Sequence, residues 1–211
     1  SQGVFMKRFS VLVLGALLAL TACSSSPPGP SPTSTGGPTS ATGTVTTGSD
    51  DATNTSSAAS APAGSLKGGS GTFAVTPPPG WTDATAQAAG TSGLELVVAA
   101  GTRSDNFLNN AVISAQHGVP NDLAAAAANA KAQLAASGKQ VTDLPDRQIG
   151  GEPAVGLSVT NQRQDVLLTQ KCYVFVHENS VYYVTLSATH DAADAAVPEF
   201  DALLGSWTWI T

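Results

Sequence analysis

One step in composition decides how much of this chain can fold. From residue 24 to residue 70, 41 of 47 residues are Ser, Thr, Pro, Gly or Ala, the exceptions being Val45, Asp50, Asp51, Asn54, Leu66 and Lys67. A stretch with so little apolar surface cannot offset its ordering entropy, and it is expected to stay disordered. As a flexible coil it would hold its ends roughly 40 Å apart, and its prolines would stretch it further. A folded domain is therefore expected only over 71–211.

The segment before this tether has the layout of a secretory signal. Lys7 and Arg8 precede an apolar run over 10–20, which is too short for a hydrocarbon core needing about 20 residues. It ends in Leu20-Thr21-Ala22-Cys23, which resembles the bacterial lipobox. That resemblance implies a diacylglycerol on the Cys23 thiol, cleavage before it, and a mature chain beginning there. The alternative is an ordinary signal peptide with an incidental cysteine. Residues 1–5 precede Met6 and are set aside as upstream sequence. Two or three acyl chains would hold the protein permanently, since each buried methylene contributes about 0.8 kcal/mol. The expected address is the extracytoplasmic face of the cell membrane, with residues 1–22 as signal and 23–70 as lipidated cysteine plus tether. The tether serves as a spacer, or as a Ser/Thr-rich stalk open to O-glycosylation.

Charge and cysteine content exclude several function classes. The chain carries 9 Lys+Arg against 15 Asp+Glu, with no basic stripe to neutralise phosphates, so no nucleic acid is expected as partner. Two cysteines cannot build a disulfide framework or a four-thiolate zinc site.

Within 71–211 the apolar pattern alternates between strand and helix periods. Residues 72–76 alternate and stop at Pro77-Pro78-Pro79-Gly80, which can neither pair as a strand nor open a helix. Strands are read over 94–100, 111–116, 154–160, 167–176 and 181–189, the last two joined through the polar turn Glu178-Asn179-Ser180. A helix over 123–137 follows the start signal Asn121-Asp122 and stops at Gly138, with Leu123, Ala127, Ala130 and Leu134 on one face. A second, over 197–204, tolerates Pro198 in its first turn and offers Phe200, Leu203 and Leu204 to a core that Trp207 joins. Three strands, a helix, about four strands and a helix make an α+β domain: an antiparallel sheet of six to seven strands flanked by helices.

At this point a family resemblance enters. Gly71-Thr-Phe-Ala-Val-Thr-Pro-Pro-Pro-Gly-Trp81 is similar to the opening strand and PxGW turn of the actinobacterial LpqN/LpqT lipoproteins. Gly151-Glu-Pro-Ala154 resembles their central β-hairpin, and Phe200-Asp-Ala-Leu-Leu-Gly-Ser206 their closing helix. The resemblance implies a PsbP-like α/β/α sandwich and a cell-envelope address. It supplies no catalytic residue.

The chemical inventory is thin. No G-x-S-x-G, H-E-x-x-H, Walker or Rossmann pattern occurs, so no cofactor is expected. The glycines at 68, 69 and 71 lie in the tether without a flanking strand and helix, and are not read as a phosphate loop. His117, His177 and His190 fall at strand ends as solvated side chains. His190, Asp191 and Asp194 could offer weak metal ligands, but Asp191 and Asp194 read first as the loop before the last helix. Cys172 lies mid-strand, its neighbour Lys171 points to the other face, and it is read as a packed structural thiol. Trp81 and Trp209 are the candidate ligand-binding residues, set against a role as core plugs. Trp207 and Trp209, two apart, would diverge in an extended chain and leave one exposed. The expectation is a monomeric, non-catalytic module binding an envelope protein or ligand. The alternative is a hydrolase or transferase acting on wall or lipid material, with a site drawn from His117, Asp191 and Glu178.

Overall fold

The computed structural model describes residues 61–104, 107–163 and 165–210. Cys23, the signal segment and most of the tether lie outside the described residues. Among the described residues ten strands and two α-helices follow one another: β1 (Leu66–Lys67), β2 (Phe73–Val75), β3 (Trp81–Asp83), β4 (Leu94–Ser104), β5 (Phe107–His117), α1 (Leu123–Ala136), β6 (Val141–Ile149), β7 (Glu152–Arg163), β8 (Val166–His177), β9 (Ser180–Thr189), α2 (Val197–Gly205) and β10 (Thr208–Trp209). Seven strands form one antiparallel sheet in the order β3-β4-β5-β9-β8-β7-β6. The α+β architecture is as expected.

Alternation along the long strands sorts side chains onto two faces. On β8, Cys172, Val174 and Val176 join Leu157, Tyr183 and the α1 residues Ala130 and Leu134. Tyr173 and Phe175 face the other way, toward Tyr182, Phe200, Leu203 and Trp207. Helix α1 thus lies on one face, close to the sheet because alanine fills its contact stripe, and α2 lies on the other. The N-cap of α1 is Asp122, whose Oδ1 accepts from the Ala125 N–H at 2.9 Å.

Three expectations need correction. The fold does not begin at residue 71: Leu66 and Lys67 pair with Val75 and Ala74, and the Gly69 N–H reaches the Glu95 carbonyl at 2.9 Å. A two-residue strand inside a Gly/Ser-rich stretch leaves no compositional trace. The 72–76 segment does not join the main sheet. It is the centre of a separate three-stranded sheet, β1-β2-β10, in which β10 pairs with it from the far end of the domain. Strand β6 carries Pro145 and a register shift between Leu144 and Arg147, which hides it from an alternation count. It is an edge strand, one of the places where a sheet tolerates proline.

Candidate functional site

The surface feature with most chemistry is a cleft of about 550 Å³ between the β6 edge and α2. Leu144 and Pro145 form one wall, Val197 and Phe200 the other, with Tyr173 and Lys171 between them. Gly156 leaves room for the Tyr173 ring and Leu144 to approach β7. A Cβ there would sit 2.7 Å from Leu144 Cβ and 2.8 Å from Tyr173 Cε1. The Arg147 guanidinium lies 5.2 Å above the Tyr173 ring centroid and donates to Asp201 on α2. Burial opposes the Arg147 charge, but Asp201 and Tyr173 outweigh it and hold the pKa above its ordinary value. Its Nε is buried and has no hydrogen-bond partner among the described residues. Lys171 Nζ pairs with Asp194 Oδ1 at 3.1 Å. Neither Arg147 nor Tyr173 stands out in the sequence, because the cleft exists only once β6 is recognised as a strand.

A second polar cluster closes the other end of the same sheet face. Glu95, 6% exposed, sits at a bulge in β4 and bonds His117 Nε2 through Oε1 at 2.8 Å. His117 Nδ1 lies 2.9 Å from Ser180 Oγ on β9, its cross-strand partner. Glu95 Oε2 also accepts from the Ser70 N–H at 2.7 Å. Ser70 Oγ, Thr72 Oγ1 and Tyr182 Oη continue the chain at 2.9 and 3.0 Å. The network straps the β1–β2 turn onto the large sheet, so the glycines at 68 and 69 form a structural turn.

The dispersed site drawn from His117, Asp191 and Glu178 is not assembled. His117 and Ser180 stand at one end of β9, and Thr189 with Asp191 follows at the other, about 30 Å along the strand. His190 Nδ1 lies 2.9 Å from Thr169 Oγ1, while Asp194 faces Lys171. Among the described residues no three His, Cys, Asp or Glu side chains converge on a common metal position.

The tryptophans are packed. Trp81 is buried. Trp207 stacks on Phe73 at 4.2 Å and 13°, and its Nε1 is buried without a partner among the described residues. Trp209 stacks on the His177 imidazole at 3.7 Å and 8°, and Glu152 Oε1 holds that imidazole at Nδ1. Trp207 precedes a strand only two residues long, so strict alternation never sets in and both indoles turn to one cluster, 5.4 Å apart. Trp81 is thus a core residue, and Trp209 is half-buried against the same core. Cys172 is buried, faces away from Lys171, and its thiol is pushed up to about 11 by burial, against a smaller opposing contribution from Thr185.

No protein-family model and no curated protein matches the chain. Eighteen chains of known structure do. One is LpqN, involved in cell envelope biogenesis of Mycobacterium tuberculosis, at 17% identity and TM-score 0.48, covering 66% of this chain and 83% of that one. Another is cyanobacterial PsbP (CyanoP) from Synechocystis sp. PCC 6803, at 16% identity and TM-score 0.48, covering 77% and 98%. A third is a Pseudomonas aeruginosa protein of unknown function, PA94, a putative regulator, at 18% identity and TM-score 0.41, covering 50% and 75%.

Proposed function

We propose that this chain is a lipid-anchored extracytoplasmic lipoprotein whose α+β domain is a non-catalytic binding module of the cell envelope. The lipobox at Cys23 and the LpqN/LpqT resemblance of 71–211 support the address. The β6–α2 cleft carries the binding reading: it is open and sets apolar walls and the Tyr173 ring beside two cations and two acids, an arrangement suited to holding a ligand. The module would act as a monomer without cofactor, its tether giving it reach from the membrane. A photo-crosslinking residue at Gln148, on the cleft rim, should capture an envelope component in cells, while one at Ala135 on α1 should not. Equal capture from both positions, or from neither, overturns the reading.

A second reading, hydrolysis or group transfer on wall or lipid material, is favoured by the order carboxyl–imidazole–hydroxyl in Glu95, His117 and Ser180. The binding reading is preferred because the cleft does not reach Ser180 and the network is spent on strapping the β1–β2 turn. A fluorophosphonate probe decides between them: labelling lost in Ser180→Ala would establish the enzyme.

A further inference from the structure

We infer that the β6–α2 cleft selects an acid, taking an apolar organic body that carries a carboxylate or phosphate monoester, with Arg147 as the group that binds it. The inference rests on the binding reading above and names the ligand class for that site.

The first argument is where the charges lie. Residues 71–211 carry six Lys and Arg against thirteen Asp and Glu, yet two of the six, Arg147 and Lys171, line one cleft, where they face Asp146 and Asp201. Tyr173 and Lys171 are two apart on one face of β8, about 7 Å along the strand, and Arg147 lies over Tyr173. The two cations therefore share the end of the cleft that Tyr173 floors.

The second argument is that both cations pair with acids that face solvent. Lys171 pairs with Asp194, whose side chain is 99% exposed, and an ion pair with so solvated a partner contributes little. Arg147 donates to Asp201, which is half exposed on α2. A guanidinium offers five donors in a planar fork. Here Nε is buried with no acceptor among the described residues, which leaves the fork incompletely used. An incoming acid that displaces Asp201 and turns the fork would be bound bidentately through Nε and a terminal N–H. Pro145, Val197 and Phe200 would cover its apolar body. Asp146 lines the same cleft and repels any anion, so a gain for the acid must come from Arg147 and a neutral ligand of the same shape is the informative comparator.

The test is calorimetric titration of the full 211-residue chain with 4-phenylbutyrate, 4-phenylbutyl phosphate and the neutral 4-phenylbutyramide. At least one acid should bind about tenfold more tightly than the amide, the gain expected of a charge-assisted hydrogen bond. Arg147→Gln should erase that difference between acid and amide. Asp201→Asn, which removes the competing acid, should tighten acid binding, a gain that misfolding cannot mimic. Equal binding of acid and amide, or no gain in Asp201→Asn, overturns the acid selection while the cleft remains a binding site. Absence of binding by all three probes overturns both.

Discussion

The indole Nε1 of Trp209 donates to the carbonyl of Gly150 at 2.9 Å, which fastens the last strand of the domain to the β6–β7 hairpin. Gly150 and Gly151 both have positive φ, 58° and 85°, as a two-residue hairpin turn requires. A Cβ on Gly150 would meet Trp207 Cδ1 at 2.5 Å and Trp209 Nε1 at 2.8 Å.

Gly150→Ala should therefore destabilise the domain by about 2–4 kcal/mol, combining left-handed strain with overpacking. Gly151→Ala meets no atom within 4 Å and should cost only the backbone part, about 1 kcal/mol. Denaturant melts followed by tryptophan fluorescence check both, and equal effects would contradict the steric account.

Cys172 should react with thiol reagents only after unfolding. Its pKa rises from an ordinary 9.0 to about 11 on burial, so the folded state keeps a proton that the unfolded chain loses. The stability this confers is fully present below pH 9 and is lost as pH rises from 9 toward 11, by about 2–3 kcal/mol. Tyr182 and Tyr183, both raised chiefly by burial, act in the same direction at higher pH. Melts at pH 8 and pH 11 should therefore show a larger loss in the wild type than in Cys172→Ala.

The helix α1 start is the clearest local signal. Asp122→Ala removes the cap to the Ala125 N–H and should cost about 1 kcal/mol, whereas Asp122→Ser should cost much less. Chemical denaturation of the two variants measures this directly.

What was legible in the sequence follows from how each element is stabilised. Helix α1 was readable because Asp122, the alanine stripe and Gly138 all act within its own length. The β8–β9 hairpin was readable too, although the turn is tighter than expected: Ser180 belongs to β9, and Glu178 takes φ 48°. Strands β1, β3 and β10 are two or three residues long, and only distant partners hold them. The same holds for the cleft. Arg147, Tyr173 and Asp201 are separated in sequence, and Gly156 reveals its purpose only when Leu144 and Tyr173 press on it from both sides.

The corrected domain start makes the last prediction. A chain beginning at residue 61 should fold without anchor or tether, because the described strands and helices and their contacts lie downstream of that point. A chain beginning at residue 71 loses the Leu66–Lys67 strand and the Ser70 N–H that satisfies Glu95 Oε2. The Glu95 carboxyl is then left with His117 as its described partner, so the shorter chain should be less stable by about 3 kcal/mol, given that an amide bonded to a charged group contributes 1.5–3 and partial burial of Leu66 adds to it. Glu95→Gln in the longer chain should reproduce part of that loss and speed hydrogen exchange at the Ser70 amide while leaving α1 amides protected. Melts of the two truncated chains with hydrogen exchange on the variant form the test. Equal stability of the two chains would show that the β1–β2 turn merely rests on the sheet.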